Sequence, residues 1–230
     1  FYAPKNGYDR LSKEEEEACF RYSEEYKAFL NNGKTEREAV ATAIALAKAK
    51  GFRPYTRGMA LKPGDKIYRD NRGKALMLAV MGSKPLSEGV HVAAAHIDSP
   101  RLDLKQNPLY ESGELTYFKT HYYGGLRKYQ WVTIPLELRG VLALKDGRVL
   151  QIRLGTDPGD PQFTISDLLP HLAYEQVKKP LGEAITGENL NILVGSRPLG
   201  NDAGGDRVKL QTLKLLNEKY GITEEDFISA

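Results

Sequence analysis

The hydrophobic pattern of this chain changes from a helical period to a strand period, and this change constrains the fold more than any other feature. The motifs Ser12-x-x-Glu15 and Thr35-x-x-Glu38 have the spacing of a capping box, in which two residues satisfy each other's free backbone N–H groups at a helix start. They predict one helix over residues 13–31 and a second that ends at Gly51.

The segment after these helices has the pattern of β-strands. Residues 66–69 and 75–81 flank a polar turn and predict a hairpin, whose second strand is apolar enough to be buried on both faces. Residues 89–95 predict a further short buried strand that ends at His96. The first hundred residues therefore indicate part of a mixed α/β sheet.

Aromatic side chains recur along the first predicted helix at Tyr22, Tyr26 and Phe29. Three- and four-residue spacing is typical of a face that packs in a core, so we expect packing here and not a ligand-binding stripe. Cys19 is expected to be an inert packing residue on the same side. As the only cysteine it cannot form an internal disulfide, which favours a reducing compartment, and the cytoplasm is expected.

The second part of the chain is rich in β-formers and turn residues. Asp146-Gly147 lies between two apolar runs, which is a strong signal for a hairpin. Residues 207–220 have the apolar spacing of a helix that stops at Gly221. We place the domain boundary near Lys105, which gives an α/β segment over residues 1–104 and a β-rich segment over residues 105–230.

Charge and hydropathy exclude several classes of partner. The net charge of +3 is too small to argue for a surface that follows the phosphates of a nucleic acid. No apolar run approaches the roughly 18 residues of a membrane span. We therefore expect neither a nucleic-acid partner nor a membrane partner.

The polar residues His96 and Asp98 follow directly on three alanines at the predicted strand end. Side chains two residues apart in an extended chain project to the same face, so the pair could bind a metal ion, or Asp98 could orient the imidazole from behind. The spacing alone is also compatible with a surface histidine paired with an aspartate. The segment contains no further metal ligands that this spacing would identify.

Three segments resemble motifs of one enzyme family. Residues 96–102, His-Ile-Asp-Ser-Pro-Arg-Leu, resemble the first metal motif of the aspartyl aminopeptidase family. Residues 122–126, Tyr-Tyr-Gly-Gly-Leu, look like the glycine-rich segment early in the inserted domain of that family, and residues 168–173, Leu-Leu-Pro-His-Leu-Ala, are similar to its Pro-His-Leu-Ala motif. Together and in this order, the motifs are much more specific than any one of them.

The resemblance implies an architecture and an activity. The fold would be the first part of a zinc-exopeptidase-like mixed α/β sandwich over residues 1–104, followed by an inserted β-rich dimerisation domain over residues 105–230 that is truncated at its end. The complete enzyme would be an aminopeptidase with two zinc ions per subunit, acting on peptides and preferring acidic N-terminal residues. It would form a homodimer or a larger homo-oligomer.

The resemblance also implies a role for three residues. His96 would be a terminal zinc ligand, and Asp98 would hold its ring in the correct orientation. His171 would be carried into the catalytic pocket of a neighbouring subunit, where it would contact the substrate or the oxyanion. Without the resemblance, the sequence alone favours a loop histidine that follows Pro170.

The remaining machinery of a two-zinc peptidase is not recognisable in the chain. A bridging carboxylate, further ligands and a glutamate general base are required, and Glu224-Glu225 stands in a turn context. The chain is therefore expected to be inactive alone. The alternatives are a non-catalytic β-rich oligomerisation module with a structural His96–Asp98 pair, and another zinc exopeptidase or deacylase with the same strand end.

Overall fold

A computed structural model describes residues 1–144, 146–200 and 204–227. The chain divides into two compact units, Phe1–Ser99 and Pro100–Ala230. The division precedes the predicted boundary by a few residues, because one continuous strand runs through Lys105. Among the described residues, no helix is both long and apolar enough to cross a membrane.

Both predicted helices of the first unit form, as α1 (Lys13–Asn32) and α2 (Glu36–Ala49), and each begins with a complete capping box. Gly33 joins them at a close approach. A Cβ atom added there would lie 3.2 Å from both the Cα atom of Ala39 and the carbonyl oxygen of Phe29. A side chain at this position would therefore require the neighbouring backbone to shift by a few tenths of an ångström.

The sheet of the first unit has the order β1-β2-β3, with β1 (Arg53–Pro54) parallel to β2 (Lys66–Asn71) and β2 antiparallel to β3 (Ala75–Val80). The predicted hairpin of β2 and β3 is thus confirmed. Its turn is fixed by the N–H of Gly73, which donates to Oδ1 of Asp70 at 2.7 Å. Gly73 has a φ of +67°, a region that glycine enters without a steric penalty.

The prediction that β3 is buried on both faces is wrong for the described part of the chain. The side chains of Met77, Leu78 and Val80 are 72%, 47% and 60% exposed, and only Leu76 and Ala79 are half-buried. Helix α2 packs against the sheet, but β3 is its edge strand. Burial on both faces requires a second covering layer, which the described residues of this unit do not provide.

The predicted strand over residues 89–95 does not form. Residues 89–100 have neither helix nor strand, and their side chains are exposed up to and including His96. A strand exists only when a neighbour accepts and donates its ladder of hydrogen bonds, and no described residue pairs with this segment. The apolar sequence of residues 89–95 is therefore not sufficient to form a strand.

The aromatic face of α1 is likewise not buried within the described part of the chain. Tyr22 and Tyr26 are 72% and 53% exposed, Phe29 is half-buried and Cys19 is exposed. The expectation of core packing for these residues is therefore wrong. The aromatic residues make one face of α1 apolar, but an apolar face is buried only where another element packs against it.

The second unit contains a three-stranded antiparallel sheet of order β4-β5-β8 and a separate hairpin of β6 and β7. Its strands are β4 (Arg101–Ser112), β5 (Leu115–Tyr123), β6 (Leu138–Ala143), β7 (Val149–Leu154) and β8 (Ile192–Gly195). The hairpin predicted at Asp146-Gly147 is confirmed. There Gly147 has a φ of +87°, and the N–H of Arg148 donates to Oδ1 of Asp146 at 3.0 Å.

Strand β5 alternates between buried and more exposed side chains. Thr116, Phe118 and Thr120 are 0%, 2% and 3% exposed, whereas Lys119 between them is exposed. The hydroxyl of Thr116 has no hydrogen-bond partner among the described residues. Phe118 contributes to the larger core of this unit.

Two apolar clusters fill the second unit. The larger comprises Leu109, Phe118, Leu154, Phe163, Leu216, Ile222 and Phe227. The smaller comprises Val132, Ile165, Ile185 and Leu190, and Ile185 directly follows the short helix α3 (Leu181–Ala184).

Helix α4 (Arg207–Tyr220) forms as predicted and ends at Gly221, whose φ is +69°. Its start is capped from a distant strand: the N–H groups of Val208 and Lys209 both donate to Oε2 of Glu111 in β4, at 2.9 and 2.8 Å. The carboxylate satisfies two of the free donors of the first turn and carries the charge that this end of a helix favours.

Helix α4 approaches β8 closely at Gly195. A Cβ atom added to Gly195 would lie less than 3.0 Å from Oγ1 of Thr212. That hydroxyl donates to the carbonyl oxygen of Val208 at 3.0 Å. Helix α4 can therefore pack this closely against β8 because Gly195 has no side chain.

A carboxylate also ties α4 to the loop after β7. Asp160 accepts from the N–H groups of Gly155 at 3.0 Å and Asp157 at 3.3 Å, and from Nζ of Lys219 at 2.6 Å. The hydrogen bond from Lys219, with the two backbone N–H groups, lowers the pKa of Asp160 to about 2 against the opposing effect of burial. The loop is therefore held by the ionised form of this side chain.

Candidate active site

The structure brings His96 and Asp98 together although the strand predicted before them is absent. Nδ1 of His96 lies 3.0 Å from the backbone carbonyl oxygen of Asp98 and 3.3 Å from its carboxylate Oδ1. The side chain of His96 is 84% exposed and that of Asp98 is 39% exposed. One aspartate therefore contacts one ring nitrogen through both its backbone and its side chain.

These contacts set the tautomer of the neutral imidazole. A carbonyl oxygen only accepts hydrogen bonds, so the contact with Nδ1 requires the ring proton on Nδ1. The lone pair of a neutral ring then lies on Nε2. This is the arrangement of a metal-ligating histidine, in which the nitrogen that does not bind the metal donates to a carboxylate or a carbonyl.

The described residues contain no group of three or more His, Cys, Asp or Glu side chains placed to hold a metal ion together. A catalytic zinc ion takes three protein ligands and keeps one position for water or substrate. His96 fits one of these ligands because its ring orientation is fixed and its side chain is exposed. The other ligands would have to come from outside the described part of the chain.

His171 lies in the second unit, on a tight turn. The N–H groups of Leu172 and Ala173 donate to the carbonyl oxygen of Leu169 at 2.8 and 3.0 Å. Pro170 occupies the second position of this turn, where its fixed φ is favoured, and His171 occupies the third. The local sequence thus presents the imidazole at the tip of a loop, where it is exposed.

The loop around His171 exposes several large apolar side chains. Leu168, Leu169, Leu172 and Tyr174 are 53%, 60%, 67% and 68% exposed. In contrast, Ala173 is only 4% exposed and anchors the middle of the loop. The histidine therefore lies among exposed apolar side chains on a loop that is anchored at Ala173.

A hydrogen bond that the sequence did not reveal closes this loop. Oδ1 of Asp167 accepts from the backbone N–H of Leu168 at 2.8 Å and from Nε2 of Gln176 at 3.0 Å. Asp167 and Gln176 are nine positions apart, with two turns between them. No periodic pattern indicates such a contact, and the preference of aspartate for turns is the only available signal.

The glycine-rich segment begins in the last two residues of β5 and packs against the part of the chain that follows the His171 loop. A Cβ atom added at Gly187 would lie 2.9 Å from the ring of Tyr122, and α3 contacts the helical turn Lys128–Gln130. Gly124 has a φ of +80°, and a Cβ atom there would lie 3.5 Å from Cα of Pro100. Two of the three sequence motifs thus belong to the same unit.

Arg101, within the first motif, has contacts that its sequence position did not indicate. Its guanidinium lies 4.1 Å from the ring centroid of Tyr123, and its Nε donates to Oδ1 of Asp103 at 2.7 Å. Arg101 and Tyr123 are partners in the register of β4 and β5. Strand pairing therefore brings the end of the first motif beside the start of the second.

A family model described as Aminopeptidase I zinc metalloprotease (M18) matches residues 29–230. The chain belongs to the M18 family. A probable M18 family aminopeptidase 1 from Clostridium acetobutylicum is 48% identical over 230 residues, which cover 98% of this chain and 50% of that protein. The chain therefore spans about half the length of the curated relatives that it matches.

Solved M18 structures share the fold of this chain over about half of their own length. The M18 aminopeptidase of Thermotoga maritima matches with a TM-score of 0.89 and 44% identity, covering 100% of this chain and 49% of the other. A dodecamer of mApe1 from S. cerevisiae matches with a TM-score of 0.60 and 17% identity, covering 91% and 46%, which shows a shared fold alone.

The M18 assignment confirms the resemblance based on the three motifs. It also places the chain in a family of zinc metalloproteases, as predicted. The mixed α/β class is confirmed by the agreement with solved M18 structures. The roles of His96, Asp98 and His171 stay predictions.

Proposed function

We propose that this chain is part of a zinc-dependent aminopeptidase that hydrolyses the N-terminal peptide bond of peptides and prefers acidic N-terminal residues. The observation that carries the proposal is the double contact of Asp98 with Nδ1 of His96 in a chain of the M18 family. Residues 105–230 would serve as its dimerisation domain. Two zinc ions per subunit are part of the proposal.

His96 would bind zinc through Nε2, and Asp98 would keep the proton on Nδ1 and hold the ring in place. The zinc ion, when bound, supplies Lewis-acid chemistry for peptide hydrolysis. Most of the metal ligands would lie outside the described residues, so the chain alone would be inactive. This expectation is tested by assaying the chain beside the complete enzyme, and activity of the chain alone would contradict it.

The role of His96 is tested in the complete enzyme with His96→Ala, Asp98→Ala and His91→Ala. His91 is a matched control because it is also exposed and lies in the same segment without secondary structure. We expect His96→Ala to abolish hydrolysis and reduce the zinc content, and Asp98→Ala to lower zinc affinity or activity by about 10- to 100-fold. His91→Ala should leave both unchanged, and an active His96→Ala enzyme would refute the proposal.

His171 is proposed to act in the site of a neighbouring subunit. Its exposed position among exposed leucines supports a surface that a second copy covers. The test mixes inactive His96→Ala subunits with His171→Ala subunits that retain only a low residual activity. If His171 acts across the interface, random exchange restores about a quarter of the wild-type activity, because half of the dimers are mixed and each of these has one complete site.

The same mixture has a clear negative result. If His171 acts in its own subunit, no mixed dimer contains a complete site and the activity stays at background. The oligomeric state of both variants is measured in parallel by sedimentation. A homodimer or a larger homo-oligomer is expected for each.

The substrate class separates the proposal from its alternatives. Peptides with N-terminal Asp or Glu should be cleaved faster than matched peptides with N-terminal Leu. Activity on N-acyl amino acids instead would indicate a deacylase, and a metal-free, inactive oligomer would indicate an oligomerisation module. The enzyme is proposed to be cytoplasmic because the single cysteine of this chain cannot form a disulfide within the chain, and cell fractionation tests this.

A further inference from the structure

We propose that Asp167 and Gln176 are positioning residues, which form a clamp that holds the turn bearing His171 in its working orientation. This inference rests on the proposed role of His171 at the site of a neighbouring subunit. The new element is the pair of residues that would hold the histidine in place. Neither residue belongs to the three motifs of the sequence.

The path of the chain shows what the clamp does. The first turn, closed by the N–H of Leu172 on the carbonyl of Leu169, presents His171. A second turn follows, in which the N–H of Val177 donates to the carbonyl of Ala173 at 2.9 Å. This second turn brings Gln176 back to Asp167, so the side-chain hydrogen bond closes a loop with the histidine at its tip.

The clamp acts where other anchors are few. Ala173 is 4% exposed and holds the middle of the loop, and Ile165 is 1% exposed and holds the chain just before Asp167. Between these anchors, residues 166–172 are exposed and belong to neither apolar cluster. The carboxylate of Asp167 joins the two ends of the loop over residues 167–176, because it accepts from the N–H of Leu168 and from the side chain of Gln176.

The chemistry of the contact suits a positioning role. A hydrogen bond to a charged acceptor is stronger than one between neutral groups, and one carboxylate oxygen accepts two donors here. A group that reaches a substrate bound by another subunit must be placed within a fraction of an ångström, since small displacements cost large factors in rate. Opening the clamp would leave the imidazole intact but increase the range of positions that it occupies.

The test compares Gln176→Ala and Asp167→Ala with Glu175→Gln in the complete enzyme. Glu175 is the matched control, because it pairs with Lys178 on the same loop and does not contact the clamp. Each clamp variant should lower kcat by about three- to tenfold with the zinc content and oligomeric state unchanged. Asp167→Asn keeps the acceptor oxygen and should restore most of the activity, and Glu175→Gln should have wild-type activity.

A double-mutant cycle with His171→Ala decides whether the clamp acts through the histidine. In the His171→Ala enzyme, Gln176→Ala should cause no further loss of kcat. Hydrogen exchange should also show faster exchange of the amides of residues 168–177 in Gln176→Ala, independently of activity. If Gln176→Ala lowers kcat equally in the wild-type and His171→Ala enzymes, or in neither of them, the clamp proposal is refuted.

The outcome for His171→Ala separately tests the proposed function. If His171→Ala alone retains wild-type activity, the role of His171 fails and the clamp fails with it. If His171→Ala is inactive or strongly impaired while both clamp variants have wild-type kcat, the proposed function stands and the clamp alone is refuted.

Discussion

Replacing Gly195 with alanine tests the close approach of β8 and α4 atom by atom. The new Cβ atom would lie less than 3.0 Å from Oγ1 of Thr212, and at 3.4 and 3.5 Å from Val208 and Thr116. The last two distances are near ordinary contact, so the conflict is confined to one hydroxyl. That hydroxyl can move only by giving up its hydrogen bond to the carbonyl of Val208.

The expected destabilisation follows from these contacts. Loss of the hydrogen bond costs about 1 kcal/mol, and crowding of a packed interface costs about 1 to 3 kcal/mol, partly offset by the smaller backbone entropy of alanine. We expect Gly195→Ala to lower the free energy of unfolding by about 2 kcal/mol, which corresponds to a fall in Tm of about 2 °C for a protein about twice as long as this chain. Calorimetry of the complete enzyme measures the shift.

Two further variants make this prediction refutable. Gly182→Ala is the matched control, because a Cβ atom there meets nothing within 4 Å, and its effect should stay within about 0.5 kcal/mol. In a Thr212→Ala background, the conflicting hydroxyl is gone and Gly195→Ala should cost little. An equal fall in Tm in both backgrounds would refute the reasoning, as would a wild-type Tm for Gly195→Ala.

Three other changes probe the second unit in the complete enzyme. The pKa of Asp160 is lowered to about 2, so its ionised form stabilises the fold above its unfolded pKa near 3.8 and this contribution disappears as the pH falls toward 2. Asp160→Asn should therefore lower the Tm at neutral pH and have a much smaller effect at pH 2, where about half of the folded molecules are protonated at this side chain, and a constant difference would contradict this. Thr116→Val removes a buried hydroxyl without a partner among the described residues and should raise the stability by about 1 kcal/mol; a lower Tm would argue for an unrecognised partner. Leu216→Ala should cost about 2–5 kcal/mol in a denaturant titration, against less than about 1 kcal/mol for the 38% exposed Leu210, and equal costs would mean that the core is misassigned.

The elements that the sequence predicted correctly have signals within a few residues of one another. The boxes at Ser12 and Thr35 each join side chain and backbone over three positions, so they act wherever the rest of the chain lies. The hairpin at Asp146-Gly147 is local in the same sense. The contact of His96 with Asp98 also survives without the predicted strand, because the two residues are only two positions apart.

The failed predictions all concern burial or pairing with distant residues. Residues 89–95 have a strand-like composition, but a ladder needs a neighbour, and the sequence of one strand does not contain it. Tyr22 and Met77 lie on apolar faces that the described residues leave exposed. Gln176 was missed for a related reason, since its contact with Asp167 depends on two consecutive turns.

The capping of α4 by Glu111 has a consequence for the order in which the second unit folds. The two capping contacts join positions 97 and 98 residues apart, so the first turn of α4 lacks its acceptor until β4 has reached its place. Contacts of such high sequence separation slow folding, because a long loop must close before they form. During synthesis, Glu111 emerges long before the helix, so the earlier strand is already available as a template when α4 leaves the ribosome.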